Sequence, residues 1–394
     1  MKKFFLFIIV FFIASNFFSQ SVKPLAKIPF TSNGKQTYIK LQVNSSKEKL
    51  CFGFDTGAGS TVIDRNYLEI SNITLKGDKE EITTSSNVLQ VDISPNNTIN
   101  TNGLAIDKIK FFIDDLSHLK PSPDGENVAG VIGVDLLKNY VSYINHEENY
   151  IELYPKGTVL YPKAKKMSFF LYEEQLPAFH ASIKIKNGKQ IPLKLIFDSG
   201  AGFTSSLTTN FINRHKLDKT LDVKVQTPVI GGLQSSSSTN YLSSLESISF
   251  GGYTFNHVPV NFSTTNSGAS ASESIDGVIG FDLIKRFNVV LDYENKLIKL
   301  IPNKLFSKPF DYNLSGINIK NKNNELIVSS VLEFSPAKKA GIKENDIIIS
   351  VDKKRFKTSD ELRNYLNSST RIKKLLIKRL NKFILIKIKP KKFY

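Results

Sequence analysis

The sequence contains few of the residues used for thiol, disulfide or metal chemistry. It has no tryptophan, one cysteine and five histidines in 394 residues. Because Cys51 is alone, no intrachain disulfide can form, and its apolar neighbours predict a small buried side chain, not a nucleophile. The histidines show no ligand spacing, and no Gly-x-Ser-x-Gly elbow marks a serine nucleophile. The five histidines are His118, His146, His180, His215 and His257. We expect no metal and no cofactor.

Long apolar runs are also scarce. One follows Lys2 and Lys3 and extends from Phe4 to Ala14. It is shorter than the about 20 residues that span a bilayer, and a basic start with a short apolar centre is typical of a secretory signal. We predict a signal peptide over residues 1–20, with an uncleaved short anchor as the alternative, and no transmembrane segment after its removal. The protein is therefore expected to be exported, to the periplasm or outside the cell.

Acidic residues are depleted near the C terminus. The formal net charge is +17, and residues 315–394 hold 20 Lys and Arg against 7 Asp and Glu, a net +13. A basic segment can indicate nucleic acid as a partner. An exported protein rarely meets nucleic acid, so we expect none. An acidic envelope surface is a better candidate partner, and a general effect of the charge on solubility is a better explanation still.

The most informative pattern present is a repeated phrase. Residues 52–61 read Phe-Gly-Phe-Asp-Thr-Gly-Ala-Gly-Ser-Thr, and residues 195–204 read Leu-Ile-Phe-Asp-Ser-Gly-Ala-Gly-Phe-Thr. A second phrase, Gly-Val-Ile-Gly, begins at Gly130 and again at Gly277. The Asp phrases are 143 residues apart and the Gly-Val-Ile-Gly phrases 147 apart. Elements repeated in order at one interval indicate an internal duplication of two small domains.

Each repeated phrase delivers one carboxylate, Asp55 or Asp198, from an apolar strand into a turn. Two Asp side chains about 3 Å apart share a proton and titrate as a pair. The ionised one can take a proton from water while the other stabilises charge on a scissile carbonyl oxygen. Gly57 and Gly200 would allow the tight turns. The hydroxyls of Thr56 and Ser199 would bond across the interface between the two units.

On these motifs the chain resembles the pepsin/retropepsin-like aspartic peptidases. The resemblance covers about 280 residues. It implies two β-barrel-like lobes, with Asp55 and Asp198 as the catalytic pair. It also implies that the second motif of each lobe passes beside the first and forms the floor of the site. The floor residues are Val131, Ile132, Gly133, Val278, Ile279 and Gly280.

Members of this family cover the site with a β-hairpin flap, and the chain offers two candidates. The segments are 83–91 and 229–239. The second contains Gly231 and Gly232, as a mobile flap would. The first lacks the tyrosine that pepsin-like members usually carry, and Tyr241 is a weak substitute.

A different pattern follows residue 312. The phrase Ser335-Pro-Ala-Lys-Lys-Ala-Gly-Ile342 and its continuation resemble PDZ domains of bacterial envelope proteases. PDZ domains add an extended peptide to a sheet edge and hold its terminal carboxylate with backbone N–H groups. By this match Leu314, Gly316 and Ile317 would form the carboxylate loop and strand, with a helix from Thr358 to Leu366 opposite. The alternative is a module that only packs on the lobes.

The predicted fold is mainly β: two pseudo-symmetric retropepsin-like barrel lobes forming a pepsin-like unit, plus an α+β PDZ domain. We place lobe one at residues 22–157, lobe two at 163–304 and the PDZ domain at 312–392. Short helices are expected at 64–68, 135–140 and 282–287, and strands at 82–93 and 104–113. Serine-rich segments 234–240 and 263–274 are predicted loops, with disorder as an alternative for the latter.

The sequence therefore predicts an aspartic endopeptidase that acts on peptide or protein substrates, with a PDZ module for peptide capture. A catalytically inactive peptide-binding envelope protein using the same cleft is the alternative. Since both halves of the site lie in one chain, we expect a monomer.

Overall fold

The computed structural model describes residues 22–220, 225–230 and 237–394. The predicted signal peptide, Gly231 and Gly232 lie outside these residues. Lobe one comprises β1 (Ala26–Ser32), β2 (Thr37–Val43), β3 (Leu50–Phe54), β4 (Thr61–Asp64), β5 (Lys79–Thr83), β6 (Val88–Thr101), β7 (Leu104–Asp114), β8 (Gly130–Ile132), α1 (Val134–Leu137), β9 (Val141–Asn145) and β10 (Tyr150–Tyr154).

Lobe two repeats this order. It comprises β11 (Lys165–Ser168), β12 (Phe170–Tyr172), β13 (Leu176–Lys184), β14 (Gln190–Phe197), β15 (Ser205–Leu207), α2 (Thr209–His215), β16 (Val225–Ile230), β17 (Ser237–Phe250), β18 (Tyr253–Ser263), β19 (Gly277–Ile279), α3 (Phe281–Ile284), β20 (Phe287–Asp292) and β21 (Leu297–Pro302). The third unit comprises β22 (Ile317–Lys322), β23 (Glu325–Val331), α4 (Pro336–Lys339), β24 (Ile347–Val351), α5 (Ser359–Asn367), β25 (Lys373–Arg379) and β26 (Lys382–Ile388).

The two lobes share one strand topology. Lobe one is ordered β1-β2-β3-β8-β4-β7-β6-β5, and lobe two β12-β13-β14-β19-β15-β18-β17-β16. Each sheet also closes on itself, through β2–β6 in one lobe and β13–β17 in the other. The β3–β8 and β14–β19 pairs are parallel. The predicted mainly β architecture with two barrel-like lobes and a separate antiparallel sheet is confirmed.

A six-stranded antiparallel sheet joins the lobes, in the order β11-β21-β20-β9-β10-β1. At its centre β9 of lobe one pairs with β20 of lobe two, with Ile144 opposite Val289 and Tyr143 opposite Val290. All four side chains are at most 5% exposed. The lobes are therefore connected by main-chain hydrogen bonds and buried side chains, which fix one lobe relative to the other.

One apolar core runs through both lobes, and the third unit has its own. Phenylalanine is prominent in the large core, with Phe52, Phe54, Phe197 and Phe287 almost fully buried. The core of the third unit is built from its sheet and α5, where Leu362 and Leu366 are fully buried. Thr358 caps α5 by accepting a hydrogen bond from the Glu361 N–H, which is one half of the predicted capping box. The Glu361 carboxylate accepts from the Lys357 N–H in place of the Thr358 N–H.

The linker between lobe two and the third unit is held by Arg286. This guanidinium is 5% exposed and donates hydrogen bonds to the carbonyl oxygens of Leu305, Phe306, Lys308 and Pro309. It also lies 4.0 Å from the ring centre of Phe310. A buried charge needs such partners. The linker is consequently an ordered part of lobe two.

Several local predictions differ from the structure. The predicted strand 82–93 is a hairpin, because the Thr84 hydroxyl accepts hydrogen bonds from the Ser86 and Asn87 N–H groups and turns the chain between β5 and β6. The helix predicted at 64–68 is a single 3-10 turn over Arg65–Tyr67, capped by Asp64. Helix α2, capped by Thr208, was not predicted.

The two predicted serine-rich loops also differ in part. Residues 237–240 of the first belong to β17, and residues 234–236 lie outside the described part of the chain. The second, 263–274, contains a 3-10 turn over Ala269–Ala271 and forms backbone hydrogen bonds to lobe one. Among the helices of the described ranges, none is long and apolar enough to cross a membrane.

Candidate active site

Equivalent strands carry Asp55 and Asp198 to the lobe interface. Asp55 follows β3, and its N–H donates to the Ile132 carbonyl at 2.9 Å; Asp198 follows β14, and its N–H donates to the Ile279 carbonyl at 3.1 Å. The Val-Ile-Gly phrases thus lie directly beside the aspartates. The glycine that follows is required by space. A Cβ at Gly133 would overlap the carbonyl oxygens of Asp55 and Ala58.

Thr56 and Ser199 connect the two aspartate turns reciprocally. The Thr56 N–H donates to the Ser199 hydroxyl at 3.0 Å, and the Ser199 N–H donates to the Thr56 hydroxyl at 2.9 Å. The Thr56 hydroxyl in turn donates to the Phe197 carbonyl at 2.6 Å. Both side chains are at most 1% exposed. Because water is excluded there, these hydrogen bonds hold the two turns at a fixed separation.

Glycine N–H groups surround the two carboxyl groups. Asp55 Oδ1 accepts from Gly57 at 2.7 Å and from Gly200 at 3.1 Å. Asp198 Oδ1 accepts from Gly200 and Ala201, both at 2.9 Å. A Cβ at Gly57 would lie 2.5 Å from the Asp198 carboxyl carbon. Each glycine therefore leaves room for the aspartate of the opposite lobe.

The two carboxyl groups lie close enough to titrate as a pair. Gly57 lies against the carboxyl group of Asp198 and Gly200 against that of Asp55, and the Gly200 N–H donates to both carboxyl groups. Burial raises the pKa of Asp55, and hydrogen bonds from Gly57 and Asp198 oppose this rise. Burial also raises the pKa of Asp198 well above its usual range, and the negative charge of Asp55 raises it further. The pair therefore retains one proton more readily than two separate aspartates would, and the rise in pKa is larger at Asp198.

The pair opens into a cleft between the lobes, with a volume of about 2140 Å³. Both lobes contribute to its walls, and so do Asn318, Asn364 and Asn367 of the third unit. The cleft is large enough for an extended peptide. The groove between β22 and α5 therefore opens into the same cavity as the aspartates.

The first flap candidate bridges this cleft. Its tip contacts the loop after β18: the Ala269 N–H donates to the Thr84 carbonyl at 3.0 Å, and the Ser270 N–H donates to the Ser85 carbonyl at 2.9 Å. Gly268 lies against the tip, where a Cβ would be 2.7 Å from the Asn87 nitrogen. An extended chain can enter from this side only if these hydrogen bonds open. The tip of the second candidate, with Gly231 and Gly232, lies outside the described residues, and Tyr241 packs against the lobe core on β17.

Two hairpin residues near the site were not predicted. A Cβ at Gly202 would be 3.2 Å from the Lys35 Cβ, and a Cβ at Gly59 would be 3.1 Å from Gln175 Oε1. The β1–β2 loop thus covers the turn after Asp198, and the β12–β13 loop covers the turn after Asp55. In the sequence, both contacts are indicated by the second glycine of each Asp phrase, Gly59 and Gly202, where a larger residue would meet the covering loop.

The predicted carboxylate loop of the third unit is internally occupied. The N–H groups of Ser315, Gly316 and Ile317 donate to Asn367 Oδ1, Asn313 Oδ1 and Ser315 Oγ at 3.2, 2.8 and 3.3 Å. Asn313 also donates from Nδ2 to the Ile317 carbonyl at 3.4 Å. Leu314 and Gly316 precede β22, and Ile317 is its first residue. The N–H groups of the predicted loop, however, already have acceptors.

The remaining candidate groups lie away from the carboxyl pair. Cys51 is 5% exposed, and burial raises the pKa of its thiol, in line with an unreactive side chain. His146 is buried between the rings of Phe30 and Phe281, and burial lowers its pKa to about 3. Within the described residues, no group of three His, Cys, Asp or Glu could hold a metal ion.

Two family models match parts of this chain. Residues 181–283 match the family model for aspartyl proteases, and residues 315–380 match that for PDZ domains. A solved structure of an aspartic proteinase from Irpex lacteus is similar with a TM-score of 0.46 and 15% identity, covering 72% of this chain and 98% of that chain. A search of curated proteins gives no match. The predicted resemblance to aspartyl peptidases with a PDZ domain is confirmed by the two family matches.

Replacing Asp198 with Asn should stabilise the fold at neutral pH. The folded state binds the proton of Asp198 more tightly than the unfolded state does. The free energy of unfolding of the wild type therefore falls as the pH rises from about 4 through the raised pKa of Asp198. The amide side chain of the variant has no such proton to lose. We expect Asp198→Asn to be more stable than wild type at about pH 7, by about 1.4 kcal/mol for each unit of the raised pKa, and the difference to shrink towards about pH 4. Thermal unfolding at both pH values measures it.

The matched control is Asp64→Asn. Asp64 is 2% exposed, and its oxygens accept hydrogen bonds from the N–H groups of Asn66 and Leu116 at 2.7 and 2.6 Å. Replacing one acceptor oxygen by a donor should lower stability at either pH. A lower unfolding temperature for Asp198→Asn than for wild type at about pH 7 would contradict the shared proton.

Proposed function

We propose that the protein is an aspartic endopeptidase that cleaves extended polypeptides. The observation that carries this proposal is the pair of half-buried carboxyl groups, Asp55 and Asp198, joined by one proton at the base of a cleft. Backbone N–H groups and the Thr56–Ser199 hydrogen bonds keep this pair in place. Such preorganisation is what acid–base catalysis requires.

In the proposed reaction, ionised Asp55 accepts a proton from a water molecule, and the water oxygen attacks the peptide carbonyl carbon. Asp198 donates its hydrogen bond to the carbonyl oxygen as negative charge develops there. Collapse of the tetrahedral intermediate breaks the C–N bond, and the amine leaves with a proton from the pair. The carboxyl groups end with one proton between them, as they began.

The two walls of the cleft differ at equivalent positions, which suggests a substrate class. In lobe one, Val62 pairs with Phe112 beside Val131; in lobe two, Ser206 pairs with Asn261 beside Val278. These residues all line the cleft. We propose a substrate with an apolar residue on the lobe-one side of the cleaved bond and a small or polar residue on the other.

For the third unit we propose a peptide-binding role controlled by Asn313. Its side-chain amide places an acceptor at Gly316 N–H and a donor at the Ile317 carbonyl. A peptide C terminus bound as in PDZ domains needs the same N–H groups for its carboxylate. The free C terminus of a peptide must therefore displace the Asn313 side chain to reach the Gly316 N–H. An internal peptide segment could instead pair with the rest of β22.

Replacing either aspartate should abolish cleavage. The measurement is cleavage of a pooled peptide library by wild type, Asp55→Asn and Asp198→Asn, followed by mass spectrometry. We expect the cleavage rate to fall by about 100- to 10 000-fold in both variants, which is about what general acid–base catalysis contributes. The wild-type rate should decline as rising pH ionises Asp198. A pepstatin-like inhibitor should block it.

Asp107→Asn is the control for this experiment. Asp107 is exposed and accepts a hydrogen bond from the Thr98 hydroxyl, away from the cleft, so its replacement should leave the rate unchanged. A rate that continues to rise above about pH 8 would contradict a shared proton. Peptide binding without any cleavage by wild type would favour the inactive peptide-binding alternative.

Changing the lobe-two wall should change specificity. We expect Asn261→Leu to shift the library preference on one side of the cleaved bond from small or polar to apolar residues, by about 10- to 200-fold in relative kcat/KM. The opposite side should keep its preference. Asn256→Leu, at an exposed position on the same strand, is the control. Equal change on both sides, or none, would show that Asn261 does not form a subsite.

Removing the Asn313 side chain should favour free C termini. The measurement is binding of a peptide library with free carboxylates and of the same library amidated, using the catalytically disabled Asp55→Asn background. Asn313→Ala should gain roughly tenfold in preference for the free form, because the Gly316 N–H becomes available for a charge-assisted hydrogen bond to the carboxylate. Asn321→Ala, which loses only a bond to the Lys357 carbonyl, is the control. A strong preference already present with Asn313 intact would contradict the proposal.

A further inference from the structure

The outer face of the β25–β26 hairpin combines exposed apolar and basic side chains. Three cross-strand pairs share this face: Lys378 with Phe383, Leu376 with Leu385, and Lys374 with Lys387. Phe383 and Leu385 are 65% and 63% exposed, and Leu380 at the turn is 93% exposed. The opposite face, with Leu375 and Ile377, lies in the core. Large apolar side chains that are grouped on the surface of a soluble protein usually mark an interaction site.

The charge around this face has one sign. Residues 371–394 contain ten Lys and Arg and no Asp or Glu. Arg379 is used internally, because it binds Asp346, and Lys373 is buried over the Tyr365 ring. Lys374, Lys382 and Lys387 are exposed. The apolar side chains are therefore surrounded by basic groups.

We propose that this face, from Lys374 to Lys387, docks on the negatively charged surface of a lipid bilayer. Such a surface offers phosphate groups to the lysines and an apolar layer to Leu380, Phe383 and Leu385. A second copy of the chain would bring lysines against lysines. Nucleic acid would neutralise the lysines but leave the apolar side chains in water. The bilayer satisfies both kinds of side chain.

The position of this face fits such a role. The sheet of the third unit runs β22-β23-β24-β25-β26, so the docking face and the peptide groove at β22 lie at opposite edges. Four strand spacings separate them, about 19 Å. A docked protein would keep its groove and the cleft accessible. Docking also requires no transmembrane helix.

Sedimentation with vesicles tests the proposal on the chain from residue 22. Wild type should bind vesicles of phosphatidylcholine mixed with phosphatidylglycerol, bind pure phosphatidylcholine weakly, and release with added salt. Lys378→Gln with Lys387→Gln should weaken binding about 25-fold, about fivefold for each lysine. Phe383→Ser should also weaken it. These side chains are exposed or half-buried, so the variants should fold, which circular dichroism checks.

The matched control is Lys320→Gln with Lys322→Gln, which removes the same charge from exposed positions on β22, at the other edge. This variant should bind like wild type. Equal loss in both double variants would mean that net charge alone drives binding, and an unchanged affinity for Phe383→Ser would remove the apolar contribution. No binding to anionic vesicles would overturn the proposal and point to an acidic protein or self-association. None of these readouts depends on peptidase activity.

Discussion

The close approach of two carboxyl groups is the constraint on which the rest of the structure depends. Two ionised aspartates at hydrogen-bonding distance in a poorly solvated site repel each other, so the arrangement is stable only with one proton between them. It also needs a residue without a side chain next to each carboxyl group. Gly57 fills this role beside Asp198, and Gly200 beside Asp55. The reciprocal Thr56–Ser199 hydrogen bonds and the six-stranded sheet then prevent the lobes from separating to relieve the repulsion. The fold can thus be understood as a frame that holds an unfavourable pair together.

Duplication explains why this frame is symmetric and why its two walls are not. The two aspartate turns face one another across the interface between the lobes, so a change in either turn alters the pair of carboxyl groups. The cleft walls contact different parts of a substrate, so they can differ without affecting the carboxyl groups. Phe112 and Asn261 occupy equivalent strand positions and differ completely in polarity. The tip of the lobe-one flap contacts a loop of lobe two through backbone hydrogen bonds.

Much of the site could be predicted from the sequence because its parts are local and repeated. Asp55 with Thr56 and Asp198 with Ser199 are adjacent in the chain, and the second copy of each phrase shows that they belong together. The contacts of Gly268 and Asn313 could not be predicted in this way. The Ala269 and Ser270 amides bond to backbone carbonyls far away in the chain, which any residue provides. The Asn313 amide fills the loop through side-chain geometry that leaves no periodic pattern. Helix α2 was missed because Thr208, its cap, stands among other hydroxyl residues that equally favour loops.

The third unit is attached to lobe two by specific contacts. Arg286 orders the linker by binding its carbonyl groups, and the Tyr312 hydroxyl donates to the His257 carbonyl of lobe two at 2.7 Å. If the third unit binds peptides as proposed, a peptide at β22 would be held at a restricted distance from the aspartates. Its effective concentration at the carboxyl pair would then be set by this geometry and not by its bulk concentration, an advantage that a long flexible linker would reduce.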